Sequence, residues 1–200
     1  MVTHPSTLAA TLDAALCFVA ATALTAWPAF AGPNAEGAAP SRVIHVEKGI
    51  DYAVPTASPF QFAKLEPDFL GASFTGRITL SGTYYYGQLA DYPGDDMVGL
   101  YFMPDAGDAK RLPHWVQEGV VKELIFGNSD AFIKAVIPAK IARAVKRGRR
   151  ASVRGRVTIV ADGFEAVVSC GSSIYVTRFH SIAREPKLYA ARSTVERTMC

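Results

Sequence analysis

The chain is poor in most of the features that announce a chemistry. It has three cysteines in 200 residues and no C-x-x-C pair, so thiol exchange and cysteine-rich zinc sites have no support. Its four histidines, His4, His45, His114 and His180, are scattered, and no two have metal-ligand spacing. An HExxH helix, a Walker phosphate loop and a GxSxG elbow are all missing. No catalytic residue is therefore assigned, and no metal or other cofactor is expected. Past the N-terminal segment, no apolar run is long enough to cross a bilayer. Lys and Arg are also missing from residues 1–31.

That first segment has an uncharged apolar core from Ala14 to Trp27, too short to span a bilayer comfortably. Ala29-Phe30-Ala31 gives the small-x-small spacing that a signal peptidase accepts, and Gly32-Pro33 opens a polar stretch. Residues 1–31 are read as a signal peptide, although Asp13 sits at the edge of the core and no positive charge precedes it. The expected location is periplasmic or secreted. Cys17 falls in this segment, and Leu16 before it does not complete a lipobox. Cys170 and Cys200 remain, and in an oxidising compartment they are expected to form a disulfide. The rival is a Cys200 that stays free or pairs between molecules.

Residues 32–72 read as a linker and an N-terminal arm. A short strand is expected at 43–46, followed by an arm anchored by Phe60, Phe62, Leu65 and Phe69. The folded domain is placed at 73–182 and a basic C-terminal tail at 183–200, with a short helix expected around 187–197. Alternating residues mark the strand 73–81, with Phe74, Gly76, Ile78 and Leu80 on one face. Tyr84-Tyr85-Tyr86 extends it. Further strands are expected at 97–103, 120–126 and 131–137, and a short helix is expected to open at Pro138 and stop at Gly148. The strand 152–160 follows. Asp162-Gly163 is read as a hairpin turn, with strands at 164–169 and 173–182 beyond it.

Residues 73–80, SFTGRITL, echo residues 152–159, SVRGRVTI. Each segment carries a glycine at the same place, where a small curved sheet must bend. The helix falls between the third and fourth core strands. This element order resembles the OB-fold over residues 73–182, with one strand too many between 97 and 137. The resemblance implies a mainly β fold: a small curved or closed OB-like β-barrel with one short α-helix between the third and fourth core strands.

Charge is unevenly distributed. From Lys134 to Arg156 there are nine Lys and Arg and no Asp or Glu, whereas residues 42–133 hold seven basic and twelve acidic residues. A positive face is expected from Arg143, Lys146, Arg147, Arg149, Arg150, Arg154 and Arg156, with Arg77 joining if segments 73–81 and 152–160 pair. Such a face suits polyanions or an acidic protein. Tyr85 is a candidate stacking platform and Trp115 a candidate anchor in a long loop. The bland alternative is a solvated helix face followed by a charged turn. The function expected from these residues is that of an exported, non-enzymatic binding module in the cell envelope, recognising a protein or polyanionic ligand, with nucleic acid a less suitable partner. One rival is a small secreted hydrolase or calcium-dependent enzyme using loop carboxylates such as Asp95 and Asp105. Another is a structural envelope component.

Overall fold

Alternation sets the two segments that organise the molecule. Ile78, Leu80, Gly82, Tyr84 and Tyr86 are buried on one face and alternate with residues that face outward, as a strand period of two requires. The same holds for Val153, Gly155, Val157, Ile159 and Ala161. The computed structural model describes residues 42–47, 49–88, 98–148, 152–169 and 171–189. Within these, the N-terminal strands are β1 (Arg42–Glu47), β2 (Ile50–Val54) and β3 (Gln61–Glu66). A 3-10 turn (Pro67–Phe69) leads to β4 (Gly71–Gln88), β5 (Val98–Pro104), α1 (Ala106–Ala109), β6 (His114–Trp115) and β7 (Leu124–Phe126). Then come α2 (Ser129–Val136), α3 (Ala139–Lys146), β8 (Ser152–Ser169) and β9 (Ser172–Tyr189).

Strands β1, β2 and β6 form one antiparallel sheet. The other six run in the order β3-β4-β5-β7-β9-β8, with a further ladder between β4 and β8. All these pairings are antiparallel except β7 with β9. The expected OB-like β-barrel with one short α-helix is corrected by this architecture. The larger sheet is mixed and six-stranded, β3 is an added edge strand, a second sheet is present, and the described residues hold three α-helices. The expected order of three strands, one helix and two strands is interrupted by α1 and β6 between β5 and β7 and by a second helix after α2.

Particular segments show why. The apolar run Ala131–Ile137, expected as a strand, lies almost wholly in α2, because Phe132 and Val136 are four residues apart and bury together on one helical face. Asp130 in its first turn and Lys134 in its last suit the helix dipole. Of the expected strand 120–126, only Leu124–Phe126 pairs. The helix expected from Pro138 is α3, and Gly148, with φ of 65°, stops it. Asp162-Gly163 does not turn the chain. β8 runs through it, and Gly163, with φ of 68°, is a bulge opposite Thr75 and Gly76 of β4. The chain reverses instead between Ser169 and Ser172, where Gly171 has φ of 76°.

Residues 42–66 form β1–β3, and their core contacts are aromatic. Phe60 packs on Phe164 with ring centres 5.3 Å apart, and Phe62 meets Phe74 at 6.2 Å. Leu65 and Phe69 stay exposed. Ile44, Tyr52 and Val54 join the same core as β4 and β8. Gly76 lets this segment approach, since a Cβ there would stand 2.6 Å from the Pro59 carbonyl oxygen. α2 caps the other end of the core: Phe132 stacks on Phe126 at 4.9 Å and meets Tyr84 and Phe179 edge-on, each at 5.4 Å. Such a cluster contributes beyond its buried area, at about 0.5–1.5 kcal/mol per ring pair.

The expected Cys170–Cys200 disulfide is not among the bonds found. All three cysteines lie outside the described residues, and no disulfide occurs within these. The expected signal peptide, residues 1–31, also lies outside them, as do residues 190–197 of the expected tail helix, whose first three residues, 187–189, instead end β9. Among the described residues, no helix is long and apolar enough to cross a membrane.

Candidate functional site

The outward face of β4, β8 and β9 concentrates charge, and the strand register explains how. Directly paired residues in an antiparallel ladder project to the same side. Arg77 pairs with Asp162 and Asp162 with Arg178; Ser81 pairs with Thr158 and Thr158 with Arg184. Farther along, Thr83 pairs with Arg156 and Arg156 with Lys187, while Tyr85 pairs with Arg154 and Arg154 with Tyr189. From Arg77 to Tyr85 this face extends about 27 Å at ~3.4 Å per residue. Six cations from three strands share it. The carboxylates in ionic contact with these cations are Asp162, on the face itself, and Asp105, which reaches in from the end of β5.

Asp105 and its neighbours are tied down locally. The backbone N–H of Asp105 donates to the Ser81 carbonyl at 2.8 Å, and Ser81 N–H donates to the Asp108 carboxylate at 2.8 Å. The Ser81 and Thr158 hydroxyls are 2.9 Å apart, linking β4 to β8. This clamp presents the Asp105 carboxylate to the guanidinium of Arg156, which donates to it. The second oxygen of Asp108 accepts from Arg111 at 3.3 Å. Both carboxylates are thus engaged within the fold. Among the described residues, no group of three or more His, Cys, Asp or Glu side chains could hold a metal ion. Asp95, the other acid of the hydrolase reading, lies outside the described residues.

The sequence-predicted site residues divide. Arg77, Arg154 and Arg156 share the outward face. Arg143, Lys146 and Arg147 belong to α3 and its end. That helix packs through Ala142 and Val145 into the core that also holds Tyr86 and Val153, so its cations lie on the other side of the sheet. Lys146 is 3.8 Å from Asp130 there. Arg149 and Arg150 are outside the described residues.

Tyr85 is on the outward face but is only 4 % exposed, and it packs with Tyr101, which is 7 % exposed, and with Met103 and Ile125. Neither ring is an open stacking platform. Trp115 is half-buried, paired with Tyr52 in the smaller sheet, and its backbone N–H donates to the Tyr175 hydroxyl at 3.0 Å. The residues that sequence reasoning missed are Arg178, Arg184 and Lys187. Arg178 lies within the expected strand 173–182, but its partner Asp162 was read as part of a turn; Arg184 and Lys187 lie beyond the expected end at Ile182, and β9 continues to Tyr189 as the partner of the first half of β8.

On the core side, burial pushes the phenol of Tyr84 up to about 12 and raises those of Tyr52, Tyr86 and Tyr175. The hydroxyls of Tyr84 and Tyr86 are buried without a hydrogen-bond partner among the described residues.

No family model, curated protein or solved structure matches the chain. The functional reading therefore rests on the charged face alone.

Proposed function

We propose that this chain is an exported binding module whose β4–β8–β9 face holds an anionic ligand or an acidic protein surface. One observation carries the reading: six cations, five of them arginines, stand in register on one face against two carboxylates. Arginine presents a planar fork of donors that suits carboxylate, sulfate and phosphate groups. A positive strip of this length also draws anions by its summed field. The apolar core of residues 14–27 and the small-x-small site at Ala29–Ala31 support export.

The test is retention on immobilised dextran sulfate and solution binding to the same polymer. The wild-type chain binds, and its affinity falls steeply as salt rises. The double variant Arg154→Glu/Lys187→Glu loses most of this binding while keeping the wild-type circular dichroism. Equal binding by a correctly folded double variant refutes the reading. Intact mass of the exported protein tests cleavage: a product beginning at Gly32 is expected, and an uncleaved chain counts against export by this signal.

A further inference from the structure

Resting on that reading, we propose that Asp105 and Asp162 are built-in counter-ions that set which anions the face accepts. Each occupies a cation of the face from within. Asp105 accepts from Arg156, and Asp162 lies 3.9 Å from Arg77 and 3.7 Å from Arg178. Neither position is accidental to the backbone. Asp105 is delivered by the Ser81 clamp, and Asp162 precedes the Gly163 bulge, whose carbonyl accepts from the buried Thr177 hydroxyl at 2.7 Å. The groups concerned are all partly exposed, so a ligand can reach them.

An incoming anion must displace or sit beside these two acids. A polymer whose own charges are carboxylates gains little, because it exchanges one carboxylate for another and suffers the repulsion of the displaced one. A linear polyanion with closely spaced sulfate or phosphate groups gains more, since each group brings several oxygens to a guanidinium fork. The two acids therefore act against weak competitors, a repulsive element that confers specificity. The burial of Tyr85 and Tyr101 leaves Tyr189, beside Arg154, as the exposed ring on this face, whereas unpaired bases are held by successive stacking platforms, which points away from single-stranded nucleic acid. The ligand class is a densely charged linear polyanion.

The experiment compares dextran sulfate with polyglutamate, using wild type, Asp105→Asn, Asp105→Asn/Asp162→Asn and Asp130→Asn. The last makes the same charge change beside Lys146, on the other side of the sheet. Wild type is expected to bind dextran sulfate and to discriminate strongly against polyglutamate. Each neutralised face acid should tighten dextran sulfate binding by about twofold to fivefold, the size of an exposed ion pair. The double variant should also acquire measurable polyglutamate binding, and Asp130→Asn should change neither. Asp105→Asn alone leaves the Gly163 bulge intact and gives its share of the gain even if the double variant folds poorly. Unchanged or weaker binding in Asp105→Asn, with wild type still bound to dextran sulfate, overturns this proposal and leaves the anion-binding face standing. An equal gain in Asp130→Asn also overturns it, because net charge alone then suffices. No binding of either polymer by any of the four proteins removes both.

Discussion

The ring of Tyr84 lies against Gly155 on the neighbouring strand, and that contact fixes the spacing of β4 and β8. A Cβ at Gly155 would stand 2.5 Å from Cζ of Tyr84 and 2.6 Å from the Lys187 carbonyl oxygen, with the Tyr84 hydroxyl closer still. One of these neighbours is backbone and cannot swing away. Gly155→Ala should therefore destabilise the fold by about 1–3 kcal/mol through overpacking. The penalty should persist in a Tyr84→Phe background, where ring carbon and carbonyl both remain. Urea midpoints of the two single variants and the double variant decide this. A penalty that vanishes with the hydroxyl would show that Lys187 does not constrain the site.

Asn128 makes a second cross-element contact that stability measurements can reach. Its side-chain amide donates to the Phe179 carbonyl and accepts from the Phe179 N–H, both at 2.8 Å. The side chain thus continues the pairing of β7 with β9 after Phe126, and it makes no cap on α2 although it holds the N-cap position. Asn128→Ala leaves both backbone groups of Phe179 without these partners. The expected loss is about 1–3 kcal/mol. Asn128→Asp, which can accept but not donate when ionised, should recover only part of it. Full stability in the alanine variant would mean that water replaces the amide at no cost.

How far this architecture could be read in advance depended on the local signal. The segments around Phe74 and Val153 alternate cleanly, and they pair as β4 and β8. Helix α3 was legible from Pro138 and Gly148. Residues 131–137 were not, because a short apolar run satisfies both a strand and a helical face until its neighbours decide. Asp162-Gly163 carries strong turn chemistry, yet long-range ladders with β4 and β9 hold it in a strand and turn the glycine into a bulge. The face itself was half legible. Arg77, Arg154 and Arg156 could be grouped from expected pairing, but Arg184 and Lys187 required the extension of β9, and Arg178 required Asp162 to be a strand residue rather than part of a turn. That extension runs through Pro186, which ordinarily argues against a strand and is tolerated here beside a register shift against β8. Sequence proximity also misled. Arg143 and Arg154 lie in one basic run but reach opposite sides of the sheet.

That separation yields a charge-reversal experiment. Arg143→Glu/Arg147→Glu changes net charge by the same amount as Arg154→Glu/Lys187→Glu, but on α3 and its end. If the outward strand face holds the ligand, the α3 variant should retain dextran sulfate binding within about threefold, the scale of weak screened interactions at a distance. Its salt dependence should match the wild type. The strand variant should show a shallower salt dependence, because fewer counterions are exchanged on binding. Equal losses in both variants would place the ligand across α3 as well, or show that only total charge matters.

The buried tyrosines predict how stability responds to alkali. The folded chain holds the phenols of Tyr52, Tyr84, Tyr86 and Tyr175 above the ordinary value of 10.0, with burial the largest cause in each case and Tyr84 reaching about 12. Between those values the unfolded chain has lost phenolic protons that the native chain keeps, so rising pH favours unfolding. The contribution is complete below about pH 10 and disappears as pH climbs through about 12 for Tyr84. Denaturant midpoints should therefore show no phenol-linked fall between about pH 8 and about pH 9.5, then drop steeply. Tyr84→Phe removes one of the linked protons and, because its hydroxyl is buried without a partner among the described residues, should be near neutral or stabilising at neutral pH. In alkali the same variant should lose stability less steeply than wild type. Phenolate absorbance followed in parallel should rise together with unfolding for these four residues; free titration of all tyrosines in a still-folded chain would contradict their burial.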